Sequence, residues 1–126
     1  MSKLQFPDVS GEGLTTEAVL DGAVLTVRLR GVADQGTAAA MAVATGAMNG
    51  EAVRLDVKTV VVDLRGLEFM SSSCVKSFVT WLAALQEKGS SAEYVVKFVL
   101  DQDYPWQHRT VDALRRLAPD IVSVEG

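Results

Sequence analysis

Residues 60–82, VVVDLRGLEFMSSSCVKSFVTWL, change character halfway along. Val60 to Asp63 continue a β-branched run that begins at Thr59, the composition of a strand. From Val75 onward, apolar residues recur at Phe78, Val79, Leu82 and Leu85, the spacing of a helix with one buried side. Between the two stand Ser71, Ser72, Ser73 and Cys74, the last being the only cysteine of the chain. A strand-to-helix corner is therefore expected at the serines, where free helix N–H groups and the positive end of the helix dipole favour an anion, phosphate included. A capping serine contributes about 1 kcal/mol, which accounts for one hydroxyl but not for three in succession.

Upstream of this corner, residues 1–13 contain Pro7, Ser10, Gly11 and Gly13 with no periodicity, and read as a flexible tail ahead of one domain spanning 14–126. Thr16–Leu20 and Ala23–Leu29 read as a hairpin about Asp21-Gly22, with Leu25, Val27 and Leu29 on one face and Thr26 and Arg28 on the other. Gly31 is expected to end the second strand, leaving Asp34 in a loop. The alanine-rich segment Gln35–Met48 predicts a helix stopped by Asn49-Gly50, its small residues packing closely on a sheet. Glu51–Lys58 is open between a helix extension and a loop. The run Thr59–Asp63 then suits a central strand covered on both faces.

Downstream, the helix after the serines reaches Gly89, and Glu93–Leu100 forms another strand. The loop DQDYPW, residues 101–106, leads to a helix with Val111, Leu114 and Leu117 on one face, ending before Pro119. Ile121–Val124 is a short last strand. The order β-β-α-β-α-β-α-β implies an α/β domain with a mixed sheet of about five strands and flanking helices.

Composition narrows the function. The 126 residues are 48% hydrophobic and 22% charged, as in an ordinary folded domain. A net charge of −4, with no basic cluster beyond the pair Arg115-Arg116, weighs against nucleic acid or an anionic membrane as the main partner. A lone cysteine forms no internal disulfide, and the first residues lack a signal-type apolar run; a cytoplasmic protein without membrane insertion is expected. One histidine, one cysteine and scattered carboxylates suggest no metal set, and no phosphate-binding glycine pattern points to a nucleotide, so no cofactor is expected.

A small serine or cysteine hydrolase would need a base for Cys74 or a serine, and His108 is the sole histidine. No Gly-x-Ser-x-Gly elbow supports that chemistry, and the reading is that the chain is not an enzyme. Cys74 itself reads as a small buried hydrophobe, and Trp81 as core. Trp106, beside Pro105 in the loop, is assigned to an interface, the alternative being that it folds back on the last helix. Asp63 reads as a carboxylate bonded to backbone N–H groups or to Arg65, and Glu68 and Asp101 as solvated loop acids.

The stretch VVVDLRGLEFMSSSCVKSFV resembles the signature of STAS domains, the family of anti-sigma-factor antagonists, which carries an apolar strand, a short loop, then Asp-Ser-Ser-Gly opening a helix. On that alignment Ser71 stands for the Asp, Ser72 and Ser73 for the serine pair, and Cys74 for the Gly. RGVAD, residues 30–34, is similar to the family's Gly-x-x-Asp, which makes Asp34 the acid lying near the phosphorylated serine. The resemblance runs from Thr16 to Val124. It implies a STAS-like fold and a regulatory protein–protein interaction domain in a bacterial setting. Its partners would be an anti-sigma factor or serine-kinase-like ATPase and a phosphatase, with a homodimer left open. Ser73 takes the family's phosphorylated position, with Ser72 beside it; Asp34, Ser71, Ser72, Ser73, Cys74, Lys76 and Trp106 are the partner-binding candidates. Ser71 lacks the charge by which a kinase or partner reads the site, and Cys74 adds a side chain where backbone would approach a partner. The alternative is a STAS-like scaffold without phosphorylation, such as a transporter- or stressosome-associated subunit.

Overall fold

A computed structural model describes residues 4–7 and 13–126. Within the described residues, five strands and three α-helices follow the expected order: β1 (Leu14–Asp21), β2 (Val24–Ala33), α1 (Ala38–Arg54), β3 (Thr59–Met70), α2 (Ser72–Lys88), β4 (Val95–Val99), α3 (Pro105–Leu117) and β5 (Val122–Glu125). The strands lie in the sheet in chain order, β1 antiparallel to β2 and the remaining neighbours parallel.

The hairpin forms one residue later than its sequence signal. Asp21 pairs with Val24, so Gly22 and Ala23 make the turn. Gly22 supplies the positive φ (+59°) at the first central position, as a two-residue turn with a matching right-handed twist requires. Gly31 does not end β2, which continues to Ala33 through register shifts beside it. With φ at +96°, Gly31 lies against β1 so closely that a Cβ would fall 1.9 Å from the Gly13 carbonyl oxygen.

Leu25, Val27 and Leu29 of β2, Val60, Val62 and Leu64 of β3, and Val96 and Phe98 of β4 are fully buried on one side of the sheet. The three helices supply Met41, Met48, Phe78, Leu82, Val111 and Leu114 to the same core. Expected coverage of both faces of β3 is not observed. Across the sheet from that core, Val61 pairs with Thr26 and Lys97, and Asp63 pairs with Arg28, a polar face open to solvent. Alternation is masked in β3 because Val61 is apolar, but its neighbours declare the solvent side.

The expected stop of α1 at Asn49-Gly50 is also not observed. The helix runs on to Arg54 because Glu51 and Ala52 are buried and Arg54 pairs with Glu51 at 2.8 Å. That packing outweighs a glycine penalty of about 1 kcal/mol. The chain turns instead at Asp56, whose φ is +53°. Of the expected tail, residues 1–3 and 8–12 lie outside the described residues. Leu4 and Phe6 are half-buried against the core, and the Gln5 N–H donates to the Glu51 carboxylate. No helix among the described residues is long and apolar enough to cross a membrane.

Candidate functional site

The carboxyl ends of β2 and β3 are stitched together where the serines begin, the Ser71 N–H donating to the Ala33 carbonyl at 2.7 Å. Asp34 therefore emerges next to Ser71. Extended at φ −70° and ψ 160°, Ser71 is the N-cap of α2: its Oγ accepts from the Cys74 N–H at 3.3 Å. Ser71 is buried at 7% exposure, so the first of the three serines has a structural task.

Cys74 points the same way. Its side chain is fully buried, the thiol donates to the Asp34 carbonyl at 3.4 Å, and Sγ lies 3.5 Å from Thr37 Oγ1. Thr37 Oγ1 donates to that carbonyl at 2.8 Å, tying the turn Gln35–Thr37 to the start of α2. The sulfur thus occupies space inside the joint, and Cys74 presents no side chain to a partner. Burial as a small hydrophobe is the outcome expected for a lone cysteine.

Ser72 and Ser73, the first two residues of α2, are exposed, and their backbone N–H groups have no acceptor one turn earlier in the helix. A shallow depression of about 510 Å³ opens here, lined by Asp34, Gln35, Gly36, Phe69, Ser71 and Ser72. Asp34 and Ser72 thus share one concavity; Ser73 does not line it. Phe69, 49% exposed at its edge, was not singled out by the sequence. Its signal was faint: an apolar residue one place from the end of a strand is normally read as core. Lys76 is exposed one turn further along α2.

Trp106 lies in the first turn of α3, which begins at Pro105, not in a loop. Half-buried, its indole N–H donates to the Glu68 carbonyl at 2.8 Å, which anchors it to the end of β3. The fully buried Gln107 beside it was missed by sequence reading. Its Nε2 donates to the carbonyls of Leu64 (2.6 Å) and Leu67 (2.8 Å), and its Oε1 accepts from the Asp101 N–H at 2.8 Å. Only the amphipathic position, one turn ahead of Val111, marked it.

The remaining candidates are not brought together. His108 is exposed on α3 in a groove with Leu100, Arg109, Asp112 and Val124, while the polar contacts of Cys74 are to Asp34, Thr37 and Ser71. Trp81 is core, its indole N–H donating to the Tyr94 hydroxyl at 2.7 Å. Asp63 is buried on the open side of the sheet, bound by the Arg65 side chain at 2.8 and 3.0 Å and by the Arg65 N–H. The Arg65 guanidinium holds the Asp63 carboxyl below its ordinary pKa, against the opposing effect of burial.

Residues 17–96, from β1 into β4, match the family model described as Mlab, STAS domain. The chain belongs to the STAS domain family. No curated protein matches it. Among solved structures, the crystal structure of an anti-sigma factor antagonist from Mycobacterium paratuberculosis is similar over 92% of this chain and 88% of that one. The TM-score is 0.62 and the sequence identity 24%, a likeness of fold. The STAS match covers the corner and α2 but stops before α3, so Trp106 and Gln107 lie outside it.

Proposed function

We propose that this STAS domain is a regulatory binding module of the anti-sigma-factor-antagonist kind, docking a partner at the serine corner and switched there by phosphorylation. The observation that carries the reading is the division of labour among the serines. Ser71 caps the helix from inside, which leaves Ser72 and Ser73 exposed with their N–H groups unspent, Ser72 in one concavity with Asp34. A phosphoryl group there gains from the helix N-terminus while adding roughly −2 charge to the surface. With Asp34 in the same concavity, that surface would turn strongly anionic and reject a partner that fits the unmodified corner. The resemblance assigns the modification to Ser73, with Ser72 its neighbour. The partners in this reading are an anti-sigma factor or serine-kinase-like ATPase and a resetting phosphatase, in a bacterial cytoplasm, with residues 14–126 as the docking domain and a homodimer left open. A binding role, not catalysis, suits a corner whose thiol is buried and whose histidine is elsewhere.

A second reading, a STAS scaffold that docks without phosphorylation, is favoured by one observation: where the family has Asp, the exposed serines are preceded by the buried, uncharged Ser71. Intact-mass measurement on protein purified from its source cells separates the two. A fraction heavier by one phosphate, mapped by fragmentation to Ser72 or Ser73, is the expected result. A single unmodified mass across growth conditions would remove the switch and leave the scaffold.

A further inference from the structure

On the face of the sheet turned away from the helices, a hollow of about 350 Å³ opens between β2 and β3. It is lined by Arg28, Leu29 and Arg30 of β2 and by Asp63, Arg65 and Gly66 of β3. The ladder is irregular here. Arg28 pairs with Asp63 and Arg30 with Gly66, so β3 advances three residues while β2 advances two. A bulge of this kind re-aims side chains, and it puts Arg65 on the same hollow as Arg28 and Arg30. Gly66 makes room as well: a Cβ there would fall 2.9 Å from Arg30 Cγ, so the stem of Arg30 lies across the missing side chain.

The guanidiniums are held in place by a buried acid. Asp63, its side chain 8% exposed, accepts from Arg65 Nε at 3.0 Å and Nη2 at 2.8 Å, and Arg28 Nε stands 3.6 Å away. Neither Arg65 Nη1 nor Arg28 Nη2 has an acceptor among the described residues. Arg28 Nη1 reaches the exposed Glu17 at 3.2 Å, a surface pair that contributes little. Two more acids act on Arg65, but each has its own partner: Glu125 is bound by Lys97 at 2.6 Å, and Asp101 accepts from the Asp103 N–H at 2.8 Å. Arg30 is exposed and makes no ion pair among the described residues.

We infer that this hollow binds the phosphate group of a small soluble phosphate monoester, with Arg30 as its principal cation and Arg28 and Arg65 as forks oriented by Asp63. Guanidiniums recognise oxyanions through paired N–H donors, and forks already braced by a carboxylate lose less freedom on binding. Three of them on one hollow suit the three terminal oxygens of a phosphate better than the two of a carboxylate. The volume falls at the lower end of the range for small-molecule sites. No lining residue is shared with the serine corner, and neither reading depends on the other.

The test titrates the isotope-labelled full chain with phenyl phosphate and with inorganic phosphate, ionic strength held constant with chloride, while backbone amides and arginine Nε–H signals are followed by NMR. Saturable shifts at Arg30, Arg65 and Gly66 are expected, with a Kd on the order of 1 mM or below. Arg30→Ala should weaken phenyl phosphate at least about tenfold. Gly66→Ala keeps every charge but crowds the Arg30 stem, and should weaken it about threefold or more. Arg115→Ala removes the same charge from α3 and should leave the affinity unchanged; circular dichroism checks that each variant folds. Shifts that never saturate, or that centre on Ser72 and Ser73, would overturn the site. Equal losses in Arg30→Ala and Arg115→Ala would reduce it to diffuse attraction and overturn it too. Full affinity in Gly66→Ala would overturn the placement of Arg30. Tighter binding of a phosphoserine peptide than of phenyl phosphate would overturn the assignment to a small ligand.

Discussion

Within four residues the start of α2 contains two kinds of side chain. Ser71 and Cys74 turn inward, the one capping the helix and the other filling the joint with Asp34 and Thr37. Ser72 and Ser73 turn outward and bond nothing that the fold requires. Hydroxyls in one run thus serve different ends, and the helical turn decides which. The same contrast extends along α3, where Gln107 faces in and saturates three backbone groups while Leu117 faces out. Inward residues should govern stability, and outward ones should govern partner binding with little effect on folding.

The largest break of that contrast is expected at Gln107. Gln107→Ala strands two carbonyls and one N–H in the interior, and urea denaturation should register a loss of about 3 kcal/mol. A loss below about 1 kcal/mol would mean that water replaces the amide there. Next comes Cys74→Gly, which restores the residue the family signature carries. It removes a buried side chain and adds a flexible residue to the first turn of α2, for a cost of about 2 kcal/mol. Partner capture should survive that change.

Smaller and sharper is the comparison among the serines. Ser71→Ala should cost about 1 kcal/mol through the lost cap. Ser72→Ala and Ser73→Ala should each stay within about 0.5 kcal/mol of the parent. Equal losses at all three positions would contradict the division between inner and outer hydroxyls.

Two buried groups also set pH limits. Asp63 has a depressed pKa in the fold, so its contribution is present above the ordinary carboxylate range and is lost as pH falls through its lowered value. Acid unfolding should accordingly be less steep in Asp63→Asn. Burial pushes the Tyr94 phenol up to about 12, while its hydroxyl donates to Asn49 Oδ1 at 2.6 Å. A raised pKa means stability that is full below about 10 and declines from there toward 12. Tyr94→Phe, followed by thermal melting across that window, should abolish the alkaline decline assigned to this group.

The order of elements, the hairpin and the serine corner were legible in the sequence because each rests on local chemistry: alternation in β2, a turn glycine, hydroxyls ahead of an apolar helical stripe. Element ends were less so. The extension of α1 past Gly50 depends on the burial of Glu51 and Ala52. The solvent face of β3 is declared only by Thr26, Lys97 and Arg28 on neighbouring strands. Val79 and Leu117 keep helical spacing with core residues and so read as core, yet they stand at its edge, 37% and 40% exposed. That difference depends on how α2 and α3 pack against each other, which no local pattern records. Gln107 was hidden for a related reason, since its three partners lie six or more residues away.

The most direct test places parent, Ser72→Asp and Ser73→Asp proteins side by side as affinity baits in source-cell lysate, with melting temperatures measured on the same preparations. The expected result is unchanged melting, a kinase-like ATPase or anti-sigma factor held by the parent, and its loss from at least one aspartate bait. Retention of the same partner by all three baits would contradict a phosphate-sensitive docking surface at this corner.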